Sequence, residues 1–292
     1  MLFATNTAVA TNKDGIDLAK GINMLIDAGF PALDLSLSGD YDFVLADNYK
    51  DNAARIKSLA DSRGVVFNQS HAPFRGYEIY STQIRPILPR VIEFAGLVGT
   101  KAIVVHPLMP MRHYGHVEEL FELNMDFYSS LAPYAKNAGI KIAIENMWNR
   151  HPITKNIEDA ACSDPYELAR YYDSLNDPEA FTVCLDIGHV ALCGREPEDA
   201  IRIIGGDRLG AIHAHDVNYL SDLHTLPGVS KINFDAVCRA LADINYKGDF
   251  TLESEGFAKG FDNEYLPTVF KFMAETACYY RNKVLGYMGK NA

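Results

Sequence analysis

Residues 138–147 read AGIKIAIENM, and this stretch carries the pattern from which the architecture follows. Gly139 is the kind of residue at which helices end. The mostly apolar stretch that follows predicts a strand at 141–146, with Glu145 and Asn146 at its end. The same order of strand, polar loop and helical segment recurs eight times along the chain.

The repeated pattern predicts a barrel. Strands are predicted at residues 2–7, 32–37, 64–70, 101–106, 141–146, 182–187, 209–215 and 249–254. Helices are predicted at residues 16–28, 48–62, 80–98, 117–137, 165–175, 197–204, 234–244 and 265–286. Alternating strands and helices imply a parallel sheet, and eight such units favour a closed barrel over an open sheet. No composition shift marks a boundary, so residues 1–292 are predicted to form one α/β domain, a single (β/α)8 TIM barrel.

The overall composition argues against several classes of protein. The chain is 48% hydrophobic and 22% charged, which is typical of globular proteins. No stretch approaches the ~18 unbroken apolar residues of a membrane span, and the N-terminus has no signal-peptide pattern. The net charge of -11, without a Lys/Arg run, disfavours nucleic acid as a partner. The five cysteines are odd in number and lack CxxC spacing, so we expect a reduced, cytoplasmic protein.

Histidines and carboxylates gather in or just after the predicted strand ends. In barrels of this kind the active site lies at the C-terminal ends of the strands. One further histidine, His224, lies in the long irregular segment 216–233. Neighbouring carboxylates repel by roughly 4 kcal/mol at ~4 Å and an effective dielectric of ~20, and a divalent cation offsets that repulsion. A mixed set of carboxylates and imidazoles suits zinc or manganese and does not suit calcium.

The strand-end motifs resemble those of a known superfamily. In chain order they are HAPF at 71–74, VVHP at 104–107, IAIENM at 142–147, CLDIGH at 184–189, IHAHD at 212–216 and TLE at 251–253. Six such motifs in this order resemble the xylose-isomerase-like barrel superfamily. It includes isomerases and epimerases of sugars and sugar phosphates, and the metal-dependent abasic-site endonucleases. The resemblance covers nearly the whole chain.

Similarity to the ketose 3-epimerases implies one divalent metal ion (Mn, Zn, Co or Mg) and a particular set of ligands. The implied metal ligands are Glu145, Asp186, His213 and Glu253. Glu145 and Glu253 would also be the catalytic pair that moves protons. A metal-stabilised enediolate would form when a proton next to a carbonyl leaves the sugar, sugar phosphate or related polyol. One departure is Tyr219, which stands where those epimerases have an arginine.

Similarity to the abasic-site endonucleases implies a second hypothesis, a phosphodiesterase with several zinc ions. The nine matching residues are His71, His106, Glu145, Asp186, His189, His213, Asp222, His224 and Glu253. We rank this hypothesis second. The early histidines and the Asp-x-His pair also occur among the sugar isomerases, the acidic loop ending of the nucleases is absent, and the net charge is unfavourable for DNA. The five residues His71, His106, His189, Asp222 and His224 are therefore predicted as additional metal or substrate ligands.

Three further residues are predicted to bind substrate. Trp148 could form an apolar wall of the sugar site, the alternative being packing against its own loop. Arg75 could meet a phosphate or carboxylate, the alternative being a solvated surface arginine. His215 completes this set.

The partner expected from the sequence is a small carbohydrate. A homo-oligomer contact through Tyr279 and Tyr280 is left open, with packing as the alternative. A third hypothesis is a barrel that binds a sugar or partner without catalysis. The intact set of carboxylates and histidines argues against it, and a metal analysis of the purified protein would separate the two. The sequence leaves open the sugar, its phosphorylation, and the identity and number of the metal ions.

Overall fold

The computed structural model describes residues 1–38 and 41–289. Its strands are, in chain order, β1 Phe3–Asn6, β2 Ala32–Ser36, β3 Val66–His71, β4 Ala102–Val105, β5 Lys141–Glu145, β6 Trp148–Arg150, β7 Ile157–Asp159, β8 Phe181–Asp186, β9 Leu209–His213 and β10 Phe250–Leu252. Eight of them form one parallel sheet in the order β10-β1-β2-β3-β4-β5-β8-β9. Ala214 links its two ends, because its N–H donates to Thr251 O (2.8 Å) and its carbonyl accepts from Glu253 N (3.2 Å). The predicted (β/α)8 barrel is therefore confirmed.

Helices surround the sheet. The α-helices are α1 Ala8–Thr11, α2 Leu18–Asp27, α3 Asp42–Leu45, α4 Tyr49–Asp61, α5 Tyr77–Ile79, α6 Leu88–Val98, α7 Val117–Ala138, α8 Pro165–Leu175, α9 Ile187–Leu192, α10 Pro197–Ile204, α11 Phe234–Asp243, α12 Glu255–Ala258 and α13 Leu266–Tyr287. Local chemistry sets their ends. Asp164 caps α8 by accepting from Tyr166 N (2.8 Å), and Gly139 ends α7 with a φ of 68°.

Side-chain alternation on the strands separates two apolar layers. Ile142 and Ile144 join the large core between the sheet and the helices. Ala143, between them, points to the opposite side and packs in a separate cluster. This inner layer, inside the barrel, consists of Ala102, Val104, Ala143, Cys184 and Ala211. Because its side chains are small, the barrel interior is filled without displacing the strands.

The observed elements differ from the predicted ones at a few points. The antiparallel pair β6–β7, which we call the mouth hairpin (residues 148–159), was not predicted, because three-residue strands leave too short a pattern. The predicted helix 80–98 is α-helical only from Leu88; a π turn at Tyr80–Ile84 and a 3-10 turn at Arg85–Ile87 precede it. Pro86 and Pro89 lack the N–H that a continuous helix needs there.

Helix α9 also differs from the prediction, since it begins directly after β8, inside the predicted strand 182–187. Strand β9 ends at His213 rather than at residue 215. Among the described helices, none combines the length and apolarity required to cross a lipid bilayer.

Candidate active site

The C-terminal ends of the strands bring the predicted ligands together by simple alternation. Glu145, Asp186 and His213 each lie two positions after a residue of the inner layer, so all three side chains point into the barrel. The register places Asp186 beside His213 on neighbouring strands. Glu253 follows β10 and completes the ring.

These four side chains form the first group. The Nδ1 atom of His213 lies 2.6 Å from Glu145 Oε1 and 3.1 Å from Glu253 Oε2. One ligand atom from each of Glu145, Asp186, His213 and Glu253 lies within 4.8 Å of the others. All four residues are buried. The first group can therefore offer three carboxylates and one imidazole to a single ion.

Glu145 also belongs to a second group, with His71 and His106. Its Oε2 atom lies 2.6 Å from His106 Nε2 and 3.7 Å from His71 Nε2. Burial favours the neutral form of His71, but the Glu145 carboxylate outweighs burial and raises the pKa of His71 to about 9. For His106 burial outweighs the carboxylate, and its pKa is lowered.

A third group lies on the other side of the first. Asp222 Oδ2 lies 3.1 Å from His224 Nε2 and 4.0 Å from His189 Nε2. Burial alone would raise the pKa of Asp222, but the hydrogen bond and charge of His224 outweigh it and lower the pKa to about 2. All five residues predicted as additional ligands thus lie beside the first group.

His215 occupies a different position from the other predicted substrate residues. It is fully buried, and its Nε2 lies 3.0 Å from Asp186 Oδ1. Its ring packs directly against the backbone of Gly188, where a Cβ would overlap it. His215 does not line the cavity described next; it lies behind Asp186, with a ring nitrogen within 4.8 Å of ligand atoms of the third group.

A cavity of about 560 Å³ opens above the three groups. Glu145 and Glu253 line its floor, and Trp148 lies on its wall, as the apolar-wall hypothesis requires. Arg75 lies at its mouth and is exposed. The Arg75 guanidinium donates to the carbonyl of its own neighbour Phe74 (2.9 Å) and, within the described residues, forms no ion pair.

Two arginines fix the mouth hairpin that carries Trp148. Arg112 Nε donates to Glu158 Oε1 at 3.0 Å, with a second bond between the same two side chains. Arg195 holds Asp159 through both oxygens, at 2.7 and 2.9 Å. Paired bonds of this kind fix orientation as well as distance. Trp148 is therefore held on the cavity wall by a braced hairpin.

Sequence reasoning missed the role of Asp216. This fully buried carboxylate accepts from four backbone N–H groups, those of Gly228, Ser230, Lys231 and Ile232, at 2.8–3.1 Å. It thereby anchors the segment 216–233, which carries Asp222 and His224. The sequence feature that could have indicated this role is the position of Asp216, an acidic residue at the start of the longest irregular segment.

The donor atoms at the barrel mouth fit a divalent metal ion. Glu145 Oε2 is buried, and the polar group nearest to it among the described ion pairs is His106 Nε2, 2.6 Å away. Asp222 Oδ1 is buried without a partner. Buried carboxylate oxygens without donors are costly unless a cation satisfies them. Carboxylate and imidazole ligands in this mixture are those of zinc and manganese rather than calcium.

Comparison with known proteins locates the chain among its relatives. An uncharacterized protein of Methanocaldococcus jannaschii is 29% identical over 219 residues, which cover 70% of this chain and 72% of that protein. Inosose dehydratase 2 of Bacillus cereus is 27% identical over 179 residues, or 55% of this chain and 56% of that protein.

Solved structures share the architecture. A D-tagatose 3-epimerase-like protein superposes with a TM-score of 0.75 at 20% identity, covering 99% of this chain and 98% of its own. The IolI protein with a bound zinc atom gives 0.72 at 18% identity, covering 98% and 99%. The sequence model described as "Xylose isomerase-like TIM barrel" matches residues 22–275. The resemblance seen in the strand-end motifs is thus confirmed, and the chain belongs to the xylose isomerase-like TIM barrel family.

Proposed function

We propose that the protein is a divalent-metal-dependent isomerase or epimerase of a sugar, sugar phosphate or related polyol. The observation that carries the proposal is the placement of Glu145 and Glu253. Both carboxylates lie on the floor of the cavity, and both contact the same nitrogen of His213. Two carboxylates at one reacting centre are what a proton transfer with removal and return requires.

The charge state of the two glutamates suits this role. Burial alone would raise the pKa of Glu145, but His213 and His106 outweigh it and hold the pKa well below the usual range. His213 and His224 act in the same way on the pKa of Glu253. Both glutamates are therefore ionised near neutral pH, and either can accept a proton from a substrate carbon.

The first group would hold the metal ion, with Glu145, Asp186, His213 and Glu253 as its ligands. A divalent ion bound there supplies positive charge that stabilises an enediolate. One glutamate removes the proton next to the carbonyl, and the other returns a proton. Trp148, on the cavity wall, lies beside this floor.

The relatives support a carbohydrate substrate. One is named for inosose, and one solved structure is of a D-tagatose 3-epimerase-like protein. A flat apolar face such as that of Trp148 packs well on sugar C–H groups. Arg75, which lines the cavity, would meet a phosphate or carboxylate at the far end of the substrate.

The test measures the exchange of a substrate C–H proton with solvent rather than the net conversion of substrate to product. The metal-loaded protein is incubated in heavy water with a panel of ketoses, their phosphates and inosose, and deuterium at carbon is measured. We expect exchange with at least one substrate, reduced by roughly 10²–10⁴-fold in Glu145→Gln and Glu253→Gln. The exposed Glu119→Gln is the matched control and should retain exchange.

A second candidate rests on the three adjoining groups. Nine residues compatible with three metal ions lie around one cavity, and Glu145 is shared by two of the groups. This arrangement would also suit hydrolysis of a phosphodiester. Incision of DNA containing abasic sites, without proton exchange on any sugar of the panel, would replace the isomerase proposal with this one.

A further inference from the structure

Most of the site histidines share one orientation. The Nδ1 atoms of His71, His189 and His224 lie 2.8, 2.9 and 3.1 Å from the main-chain carbonyls of Ala72, Asn146 and Glu253. A carbonyl oxygen only accepts, so Nδ1 carries the proton in each neutral ring. The Nε2 lone pair of each ring is then left for the site.

His213 has the opposite orientation. Its Nδ1 faces the carboxylates of Glu145 and Glu253, which only accept, so without metal this nitrogen carries a proton that a bound ion would replace. Its Nε2 points down into the barrel, where Asp34 Oδ2 lies 3.4 Å away. A ring that binds metal through Nδ1 carries its proton on Nε2, and that proton needs an acceptor.

Asp34 is an unusual residue for the interior of a barrel. It lies on β2, is fully buried, and its Oδ1 has no hydrogen-bond partner. Gln69 Nε2 donates to its Oδ2 at 3.0 Å, but among the described residues no lysine or arginine pairs with it. A buried carboxylate without a cationic partner is destabilising. A carboxylate at this buried position is therefore expected to have a positive charge close to it.

A polar layer supports Asp34 from below. Gln69 Oε1 accepts from Thr251 Oγ1 (3.4 Å), and Thr251 Oγ1 accepts from Asn68 Nδ2 (2.9 Å). The side-chain polar contacts of Thr251 and Asn68 within the described residues are with each other and with Gln69, and none is with His213. The layer therefore holds Gln69, and Gln69 holds Asp34 under the His213 ring.

We propose that Asp34 is a positioning residue for the metal centre, which accepts the Nε2 proton of His213 and thereby directs Nδ1 to the metal ion. The inference rests on the proposed function, since it takes His213 as a metal ligand. The Asp34 carboxylate makes the imidazole a stronger metal ligand. In return, the metal ion polarises the imidazole ring, and the more positive Nε2–H group stabilises the buried carboxylate. This explains why a buried carboxylate is tolerated beneath the site.

The first measurement is metal affinity. Zinc is titrated against a competing chelator for the wild type, Asp34→Asn and Thr251→Val. We expect Asp34→Asn to bind zinc roughly 10–100-fold more weakly, the range typical of lost outer partners. Thr251→Val removes the 3.4 Å contact to Gln69 but keeps the Asp34 carboxylate and its hydrogen bond from Gln69, so it should weaken zinc binding far less than Asp34→Asn does. Equal weakening in both variants would show a structural effect and overturn the proposal.

The second measurement needs no Asp34 variant, so it holds even if Asp34→Asn fails to fold. Two-bond ¹⁵N–¹H NMR correlations of the histidine rings are recorded on the zinc-loaded wild type, with His213 assigned from His213→Asn. We expect a protonated Nε2 and an unprotonated Nδ1. A protonated Nδ1 would overturn the role of Asp34. A wild type that binds no zinc would refute the proposed function as well, whereas zinc binding unaffected by Asp34→Asn refutes only this inference.

Discussion

The imidazole ring of His215 lies parallel to that of His224, with 4.1 Å between ring centroids and 4° between ring planes. His215 also contacts Asp186 of the first group, and His224 contacts Asp222 of the third. The stacked pair therefore joins the two groups. A shift of the His215 ring would move a carboxylate of the first group and a histidine of the third together.

Gly188→Ala tests this stack. A Cβ at Gly188 would overlap the His215 ring, so the ring must move away from Asp186. We expect weaker zinc binding and a loss of stability of about 1–3 kcal/mol, the usual effect of overpacking. Chelator titration and thermal unfolding measure both. Gly286→Ala in α13 has open space around its Cβ, so it should leave zinc affinity unchanged and should not lower stability, because alanine favours a helix more than glycine does. Unchanged zinc affinity in Gly188→Ala would contradict the coupling.

Asp216→Ala tests the anchor of the segment 216–233. The substitution leaves four backbone N–H groups without their acceptor. We expect a loss of about 2–4 kcal/mol in the free energy of unfolding, because those donors lose a charged partner. Hydrogen exchange should rise first at residues 228–232. Equal protection there in the variant and the wild type would show that Asp216 is not the anchor.

Arg75→Ala tests the predicted anionic end of the substrate. A hydrogen-bonded charge pair contributes about 1.5–3 kcal/mol, so kcat/KM for a phosphorylated substrate should fall by roughly 10–150-fold. The neutral sugar of the same skeleton should be converted as before. Arg63→Ala, which removes an exposed arginine paired with Asp27, is the control. An equal loss with the neutral sugar would exclude a role in binding the anion.

His71 makes the metal-free protein sensitive to alkaline pH. The folded-state pKa of about 9 lies above the ordinary value of 6.5, because Glu145 stabilises the charged ring against burial. This contribution to stability is fully present below pH 6.5 and is lost as the pH rises to about 9. Thermal unfolding of chelator-treated protein should therefore show a falling Tm across that window, and His71→Asn should flatten the fall.

Zinc-loaded protein provides the contrast for that measurement. Ligand histidines must be deprotonated to bind, so metal affinity rises with pH. The stabilisation by added zinc should grow between pH 6.5 and 9, where the metal-free protein weakens. A metal-free Tm that does not change across this range would contradict the raised pKa of His71.

Much of the site could be predicted because strand alternation is visible in the sequence. Glu145, Asp186 and His213 end three apolar runs, and parallel strands place such ends at one mouth. The helices 165–175 and 197–204 were predicted to the residue, since proline begins each of them. These features depend on local pattern alone.

The rest depends on contacts between distant parts of the chain. Asp34 is one polar residue within an apolar run, and only closure of the barrel brings it beneath His213. His215, predicted from IHAHD to bind substrate, has its ring packed on the backbone of Gly188, which lies on another element. The mouth hairpin is held by arginines 46 and 36 residues away in sequence. No periodicity encodes such pairings.

In this barrel the mouth hairpin forms part of the cavity wall separately from the residues of the cavity floor. Its residues contribute a wall of the cavity through Trp148, but none of them belongs to the three ligand groups. The hairpin is attached by Arg112 and Arg195, which lie outside it. Both arginines attach the hairpin through consecutive residues of β7, Glu158 and Asp159, so substitutions or insertions in residues 149–157 would leave these attachments and the cavity floor in place. The wall of the cavity can thus be exchanged, in evolution or by grafting, without altering the residues of the three groups.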